Sequence, residues 1–269
     1  MSASTHDHDR EEGLDFRPKF DATGLVTCVA TDVATGDVLM VDRPDAADLL
    51  RAAWTFVTQR AGADVVRLRR VRQDACVTPL LAEMGARVVE ETSAPFLDLA
   101  GFSSFEELVQ RQSKSSRRNR HRQRRRLADS GAVELIACAG GAEAQRLADT
   151  AFRYKSQWLA QRGLYSRALS DPRTAAFFAD VTRADVRPAG CNVLALSCAG
   201  HPVAIEIGVH GKGRTAIHIV AYDHAYEKMA AGALLMEDSV RRAADLGTQV
   251  FDFLPPSHPY KLEWSDTVM

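Results

Sequence analysis

Glu206 is the one carboxylate in the apolar run Val203-Ala204-Ile205-Glu206-Ile207-Gly208-Val209. Placed half-buried in such a strand, it has its charged form disfavoured and its pKa raised. That suits it to take a proton from an attacking ammonium or hydroxyl. A structural glutamate paired with an arginine fits the same pattern. His218 stands in the next apolar run, Ala216-Ile217-His218-Ile219-Val220. A three-residue loop Gly211-Lys212-Gly213 would set it directly opposite Glu206, whereas a loop of two or four would put the pair on opposite faces. The alternative to a catalytic His218 is a satisfied core histidine. Asp252, in Phe251-Asp252-Phe253, is a third lone charge, at the end of a strand where α/β folds place ligand groups.

A second feature is electrostatic. From Arg111 to Arg126 there are eight arginines, one lysine and no acid, although the whole chain has a net charge of −1. A helix over this run carries arginine on every face and cannot be wholly packed. Arg117, Arg118, Arg122 and Arg125 are the candidates for holding a polyanion such as tRNA phosphates or an anionic glycan. No aromatic is interleaved, which argues against a base-stacking surface. A solvated linking helix is the other reading.

These groups need elements to position them. Strands are predicted at Leu25–Ala30 and Val38–Val41, around a turn that includes Gly36-Asp37, and at Asp64–Val71, with short ones at Val88–Val89 and Phe96–Leu99. Helices are predicted at Asp45–Arg60, with Leu49, Ala53, Phe56 and Val57 on one face, and at Val77–Met84. One long helix follows from Ser104 to about Ala128. Then come strand Val133–Ala139, helix Ala142–Arg162 with Leu147, Ala151, Tyr154 and Trp158 at helical spacing, and a helix from Asp171-Pro172 to about Val186. Strand Asn192–Cys198, hairpin Pro202–Val209 with Arg214–Tyr222, helix Lys228–Leu246 and strand Gln249–Phe253 complete the chain. Pro259-Tyr260-Lys261-Leu262-Glu263-Trp264 follows them.

Composition sets the bounds. The 269 residues suffice for one large domain or two small ones, and 46% apolar with 26% charged residues is the balance of a globular protein. Five scattered cysteines without CxxC spacing fit a reducing cytoplasm. No apolar run is long enough to span a membrane, and Met1–Glu12 reads as a polar tail rather than a secretory signal. GxSxG, GxxxxGK[ST], HExxH and early GxGxxG motifs are missing, and no metal set is apparent.

The order from Asn192 to Phe253, with the PYKxxW ending, resembles the catalytic half of GNAT acyltransferases, specifically the FemAB-like and cellulose-biosynthesis (CelD/BcsL-like) branch. The resemblance covers roughly Leu25 to Trp264. It implies an α/β chain of tandem GNAT-like units, mixed sheets flanked by helices, with the first unit shortened and the second short of its last strand. The expected division is a tail (1–20), a shortened N-terminal unit (21–100), a basic linking helix (101–130) and a catalytic unit (131–269). The implied activity moves an acyl group from acetyl-CoA or another acyl-CoA to an amine or hydroxyl, in exopolysaccharide, cellulose or cell-envelope assembly. An aminoacyl-tRNA-dependent transferase and a non-catalytic scaffold of a polysaccharide-synthesis assembly are the alternatives.

In this family an acidic residue, here Asp252, precedes a Tyr-Lys pair, here Tyr260 and Lys261. Tyr260 would protonate the leaving thiolate or hydroxyl, Lys261 would hold an anionic substrate, and Trp158 is a further substrate-binding candidate. A packing role for Tyr260 and Trp264 is the other possibility. The phosphate loop R/Q-x-x-G-x-G/A is blurred to Lys228-Met229-Ala230-Ala231-Gly232-Ala233, with glycine one place late. Tyr222, Lys228, Ala231, Gly232 and Ala233 are the implied donor-binding residues, helped by the N–H groups of the helix start. Met229, Ala233, Met236 and Val240 read equally as a core stripe.

Overall fold

The computed structural model describes residues 46–61, 66, 68, 71, 75, 77–184, 190–211, 213–265 and 267–268. The tail, the strands Leu25–Ala30 and Val38–Val41 with their turn at Gly36-Asp37, and most of Asp64–Val71 lie outside the described residues. The chain divides into two compact units, Met1–Thr92 and Ser93–Met269. In the first, α1 (Ala46–Ala61) and α2 (Thr78–Glu83) are joined by Arg51, which bonds Glu83 at 2.9 Å. Among the described side chains of α1 Leu50 is buried, whereas Phe56, expected on the inner face, is exposed; those of Leu49 and Val57 lie outside the described residues. Val88–Val89 forms no strand among the described residues, and both side chains stand in solvent.

The second unit is built on one seven-stranded mixed sheet, in the order β2-β3-β4-β5-β6-β1-β7. The strands are β1 (Pro95–Asp98), β2 (Val133–Cys138), β3 (Gly190–Cys198), β4 (His201–Gly211), β5 (Arg214–Tyr222), β6 (Val250–Asp252) and β7 (Thr267–Val268). β2 to β5 form an antiparallel meander, and β5 and β6 are parallel. The place beyond β6, expected to lack a strand, is taken by β1 and then β7, both antiparallel.

The single long helix expected from Ser104 is two helices, α3 (Phe105–Arg111) and α4 (Lys114–Ala128). Ser104 caps α3 through the Glu107 N–H, and Ser113 caps α4 through the Ser116 N–H at 3.1 Å. A hydroxyl that captures a free N–H starts a new helix more cheaply than it continues the old one, so the chain turns at Gln112.

One face of the sheet is covered by α5 (Ala142–Gln161) and, beyond the short α6 (Arg167–Ser170), by α7 (Pro172–Arg183). They pack on Val193, Ala195, Ile205, Ile207, Ile219 and Ala221. Leu147, Ala151 and Tyr154 of α5 are buried as their spacing predicts. The other face is covered by α8 (Ala231–Asp245), whose Leu234 and Leu235 pack on Leu194, Leu196 and Ala204. The helix expected from Lys228 begins only at Ala231. His224–Met229 is a 3₁₀ turn and Ala230 is left-handed, with φ 54°. That break rotates the stripe, so Met236 and Val240 are buried but Ala233 is exposed.

The basic helix α4 is fastened to α8 by acids. Arg120 is 7% exposed, bonds Glu237 at 3.2 Å and Gln112, and lies 5.0 Å above the Trp264 ring. Arg124 reaches Glu237 at 3.2 Å and Asp238 at 2.8 Å. Replacing Ser113 with alanine removes the cap that starts α4. The expected loss is about 1 kcal/mol of stability in urea unfolding; an unchanged midpoint would count against the two-helix description.

Candidate active site

The hairpin register decides where His218 goes. Gly211 pairs with Arg214 across a two-residue loop, and the ladder slips between Ile207 and Gly208, so Glu206 faces Val220. The slip leaves an extra residue in β5, and His218 takes the α5 face, its ring 6.3 Å from Phe178. Glu206 takes the α8 face, where Ser239 donates to Oε1 at 2.5 Å. The two therefore lie on opposite faces, and His218 is exposed. Gly208 permits the slip: a Cβ there would come within 3.2 Å of the Ala216 carbonyl.

Glu206 is 1% exposed, and its Oε2 has no hydrogen-bond partner. No arginine pairs with it among the described residues. Burial pushes its pKa up to about 8, opposed by the Ser239 hydrogen bond. Ser239 is a polar residue inside the stripe of Met236, Val240 and Ala243, which was the available sequence signal for it.

The strands part beside this carboxylate. β5 and β6 pair only over Arg214–Ala216 and Val250–Asp252. Beyond that, the Phe253 N–H bonds Pro95 of β1, so β6 keeps its β1 partner and leaves β5. The Asp223 N–H bonds the Val203 carbonyl, and Ala221 and Ile219 face Ile205 and Ile207 in register. Backbone polar groups alternate along an antiparallel strand. Those of Val220 and Tyr222 therefore point away from β4, into a slot where β6 no longer stands.

Each lip of the slot is held by polar groups. Asp252 is 2% exposed; it bonds Arg214 at 3.1 Å and accepts the Leu254 N–H at 2.9 Å. Leu254 is thereby kept in the left-handed region at φ 55°, which aims its carbonyl at Lys261 Nζ, 2.7 Å away. Lys261 lies in α9 (Pro259–Leu262) and is buried, and its pKa falls to about 8 through that burial. Tyr260 is partly exposed; burial, then the charge of Glu206, raise its pKa. Trp264, in contrast, is buried against Phe105. On the other lip, Lys155 of α5 donates to the Val220 carbonyl at 3.3 Å. Nothing in the α5 sequence pattern singled out Lys155.

Where β5 ends, the expected donor residues come together in part. Trp158 Nε1 donates to the Tyr222 hydroxyl at 3.1 Å, which donates to Glu227 at 3.2 Å; Arg162 bonds Glu227 at 2.7 Å. Lys228 is exposed in the 3₁₀ turn. Ala231, Gly232 and Ala233 form the first turn of α8, which no side chain caps; the Ala233 and Leu234 N–H groups both go to Ala230. Such a start suits an anion.

A family model described as an acetyltransferase (GNAT) domain matches residues 114–262. The chain belongs to this GNAT family.

Among solved structures, FemX aligns with a TM-score of 0.57 at 9% identity, over 80% of this chain and 69% of that one. L-PGS from Bacillus licheniformis aligns at 0.51 with 13% identity, over 81% and 60%. At such identities these likenesses speak for the GNAT-like fold alone. Among curated proteins, phosphoribosyl-AMP cyclohydrolase of Bradyrhizobium diazoefficiens is 56% identical over 62 residues, 21% of this chain and 44% of that protein. Its Nitrobacter winogradskyi counterpart is 56% identical over 65 residues, 22% and 45%. The chain thus spans less than half the length of the curated relatives it matches. No helix among the described residues is long and apolar enough to cross a membrane.

Arg118, Arg122 and Arg125 of the GNAT domain stand exposed on α4, whereas Arg117 is half-buried with its Nε unpartnered. A cleft of about 360 Å³ opens between Arg122, Arg125 and Arg126. Another, of about 290 Å³, lies by Arg124, Leu135 and Arg242, toward the far end of α8 from its uncapped start.

Burial of Glu206 has a pH signature. Its folded pKa lies above the ordinary 4.5, so the folded state disfavours the charged form. The stability of the neutral form is intact below pH 4.5 and is lost as pH rises toward about 8, by at most about 1.4 kcal/mol per pH unit. Glu206→Gln should remove that decline. Urea unfolding at pH 5 and pH 9 reads it, and an identical pH dependence in both proteins would exclude a buried neutral Glu206.

Proposed function

We propose that the chain transfers an acyl group from an acyl-CoA thioester to an amine, or alternatively a hydroxyl, with Glu206 as the base. The observation that carries this is the unpartnered, buried Oε2 of Glu206 beside the slot between β5 and β6. The thioester arm would lie along β5, taking hydrogen bonds from the Val220 and Tyr222 backbone in place of the missing strand. The donor's phosphates would meet the first turn of α8 at Ala231, Gly232 and Ala233, with Tyr222 and Trp158 beside them and Lys228 at the rim.

The acceptor nitrogen attacks the thioester carbonyl and its proton passes to ionised Glu206. Backbone N–H groups stabilise the oxyanion, the carbon–sulfur bond breaks, and Tyr260 returns a proton to the leaving thiolate. Amide and free thiol result, with no net change in protons on the enzyme once Glu206 reprotonates Tyr260. Asp252 acts through its hold on Leu254 and Arg214, and His218, on the other face, has no part in this proton path. The FemAB-like and CelD-like resemblance supports a cytoplasmic role in exopolysaccharide, cellulose or envelope assembly.

A second reading is favoured by one observation, the exposed row Arg118, Arg122 and Arg125 on α4. The C-terminal end of that helix lies beside the start of α8, where Ser130 approaches the Met229 sulfur at 3.9 Å. An aminoacyl-tRNA donor would lay its phosphates there. A scaffold role keeps the fold without turnover.

Two measurements separate these. Calorimetric titration with acetyl-CoA should give micromolar or weaker binding, and Glu206→Gln should lower turnover roughly 10²- to 10⁴-fold with the fold intact. A Glu206→Gln protein with full turnover would rule out the base. No heat with any acyl-CoA at millimolar concentration moves the reading to a tRNA donor or to the scaffold. With a tRNA donor, Arg118, Arg122 and Arg125 changed to glutamine should abolish tRNA binding, and binding by the unaltered chain should weaken steeply with salt. Binding indifferent to salt and to these changes excludes the polyanion role.

A further inference from the structure

The two lips of the slot each carry an ammonium group, and among the described residues neither is bonded to an acid. Lys155 uses one N–H on the Val220 carbonyl, and Lys261 uses one on the Leu254 carbonyl. A lysine ammonium has three donors and no acceptor, so most of this capacity is unspent. Asp252, the acid whose charge reaches Lys261, is committed to Arg214 and the Leu254 N–H. Lys155 also lies 4.9 Å from the centre of the Trp158 ring, which fixes its stem across the slot.

Two cations held largely out of water, near enough that the charge of Lys155 lowers the proton affinity of Lys261, cost free energy unless something neutralises them. Asp252 favours the charged form of Lys261, but it bonds Arg214 and the Leu254 N–H, and the remaining ammonium donors of both lysines face the slot unspent. An anion set between them satisfies donors from both and relieves their repulsion. The donor's phosphates have their own place, at the start of α8, reached only after the 3₁₀ turn that follows β5. The space between the lysines therefore belongs to the other substrate.

We propose that Lys155 and Lys261 together form an anion site across the slot, taking a carboxylate or phosphate monoester borne by the acyl acceptor. Naming the ligand as the acceptor rests on the acyl-transfer reading; the anion site itself does not. An acceptor tethered by such a group presents its amine at a fixed distance from Glu206. The class selected is anionic amines, amino-acid or peptide carboxylates in one case and amino-sugar phosphates in the other.

The test uses the full chain labelled with ¹³C and ¹⁵N in its lysines, at pH 6.5, below the Lys261 pKa of about 8. Sodium acetate and sodium phosphate are added separately against a constant chloride background. The Lys155 and Lys261 side-chain resonances should move together and saturate in the millimolar range; acetate alone or phosphate alone assigns the source. Lys155→Met should weaken the response of Lys261 at least tenfold, and Lys155→Arg should retain it. Shifts that stay linear in both anions overturn the site, as does a Lys155→Met chain that binds as tightly as the unaltered one. Lys155 carries the test because Lys261→Met also releases Leu254. Anion binding without any acyl transfer would leave this site standing and sink the acyl-transfer reading; turnover without anion binding would do the reverse.

Discussion

β6 pairs with two strands at its start and with only one at its end. That asymmetry underlies the site. The Phe253 N–H goes to Pro95 of β1, and the left-handed Leu254 then turns the chain away, so the edge of β5 at Val220 and Tyr222 is left without a ladder partner. Buried backbone groups are seldom left unpaired, and here a lysine side chain takes the Val220 carbonyl. An extended ligand arm with its own amide groups is the natural occupant of such an edge, in the manner of strand addition. The slot depends on Asp252, whose two oxygens hold both the strand before it and the turn after it.

Charge in the second unit is arranged so that opposite signs meet where packing requires it. The inward arginines of α4, Arg120 and Arg124, meet Glu237 and Asp238 on α8, and Trp264 covers Arg120. The outward arginines remain in solvent. A dense basic run is thus divided by helical geometry into an anchor and a surface. Arginine suits both duties, because its planar fork bonds two carboxylates and its flat face rests on an aromatic ring. The same α8 that receives the anchor supplies Ser239 to Glu206 and offers its uncapped start to an anion. The basic helix, Glu206 and the uncapped helix start are therefore coupled through one helix.

Glu206 shows how burial without a counter-charge differs from burial with one. A glutamate paired with arginine has its pKa lowered and is locked as an anion. Glu206, with only a hydroxyl on one oxygen, has its pKa pushed up to about 8 by burial instead. Lys261 is shifted downward to a similar value by the same physical cause acting on the opposite charge. Two groups of unlike sign that titrate together at the slot make a narrow pH window for having both ionised.

Much of this was legible from residue order. Alternation and helical spacing marked the strands β3 to β5 and the helices α5, α7 and α8 to within a few residues, because apolar periodicity reports which face is buried. Glu206 stood out as one charge in an apolar strand, and the PYKxxW ending marked Lys261. The register of the β4–β5 hairpin was not legible. It hinged on a one-residue slip at Gly208 that no local pattern encodes, and that slip sent His218 to the wrong face. The break at Ser113 lay in three serines whose hydroxyls compete for the backbone, a local signal outweighed by the dense helix-forming arginines that follow. Lys155 was invisible, since a lysine among the apolar positions of a helix reads as solvated until the strand opposite it is seen to lack a partner. Sequence determined the elements and the charges they carry, because those depend on near neighbours. Only the tertiary structure decided which charges face one another across the slot, because that depends on where β6 leaves β5.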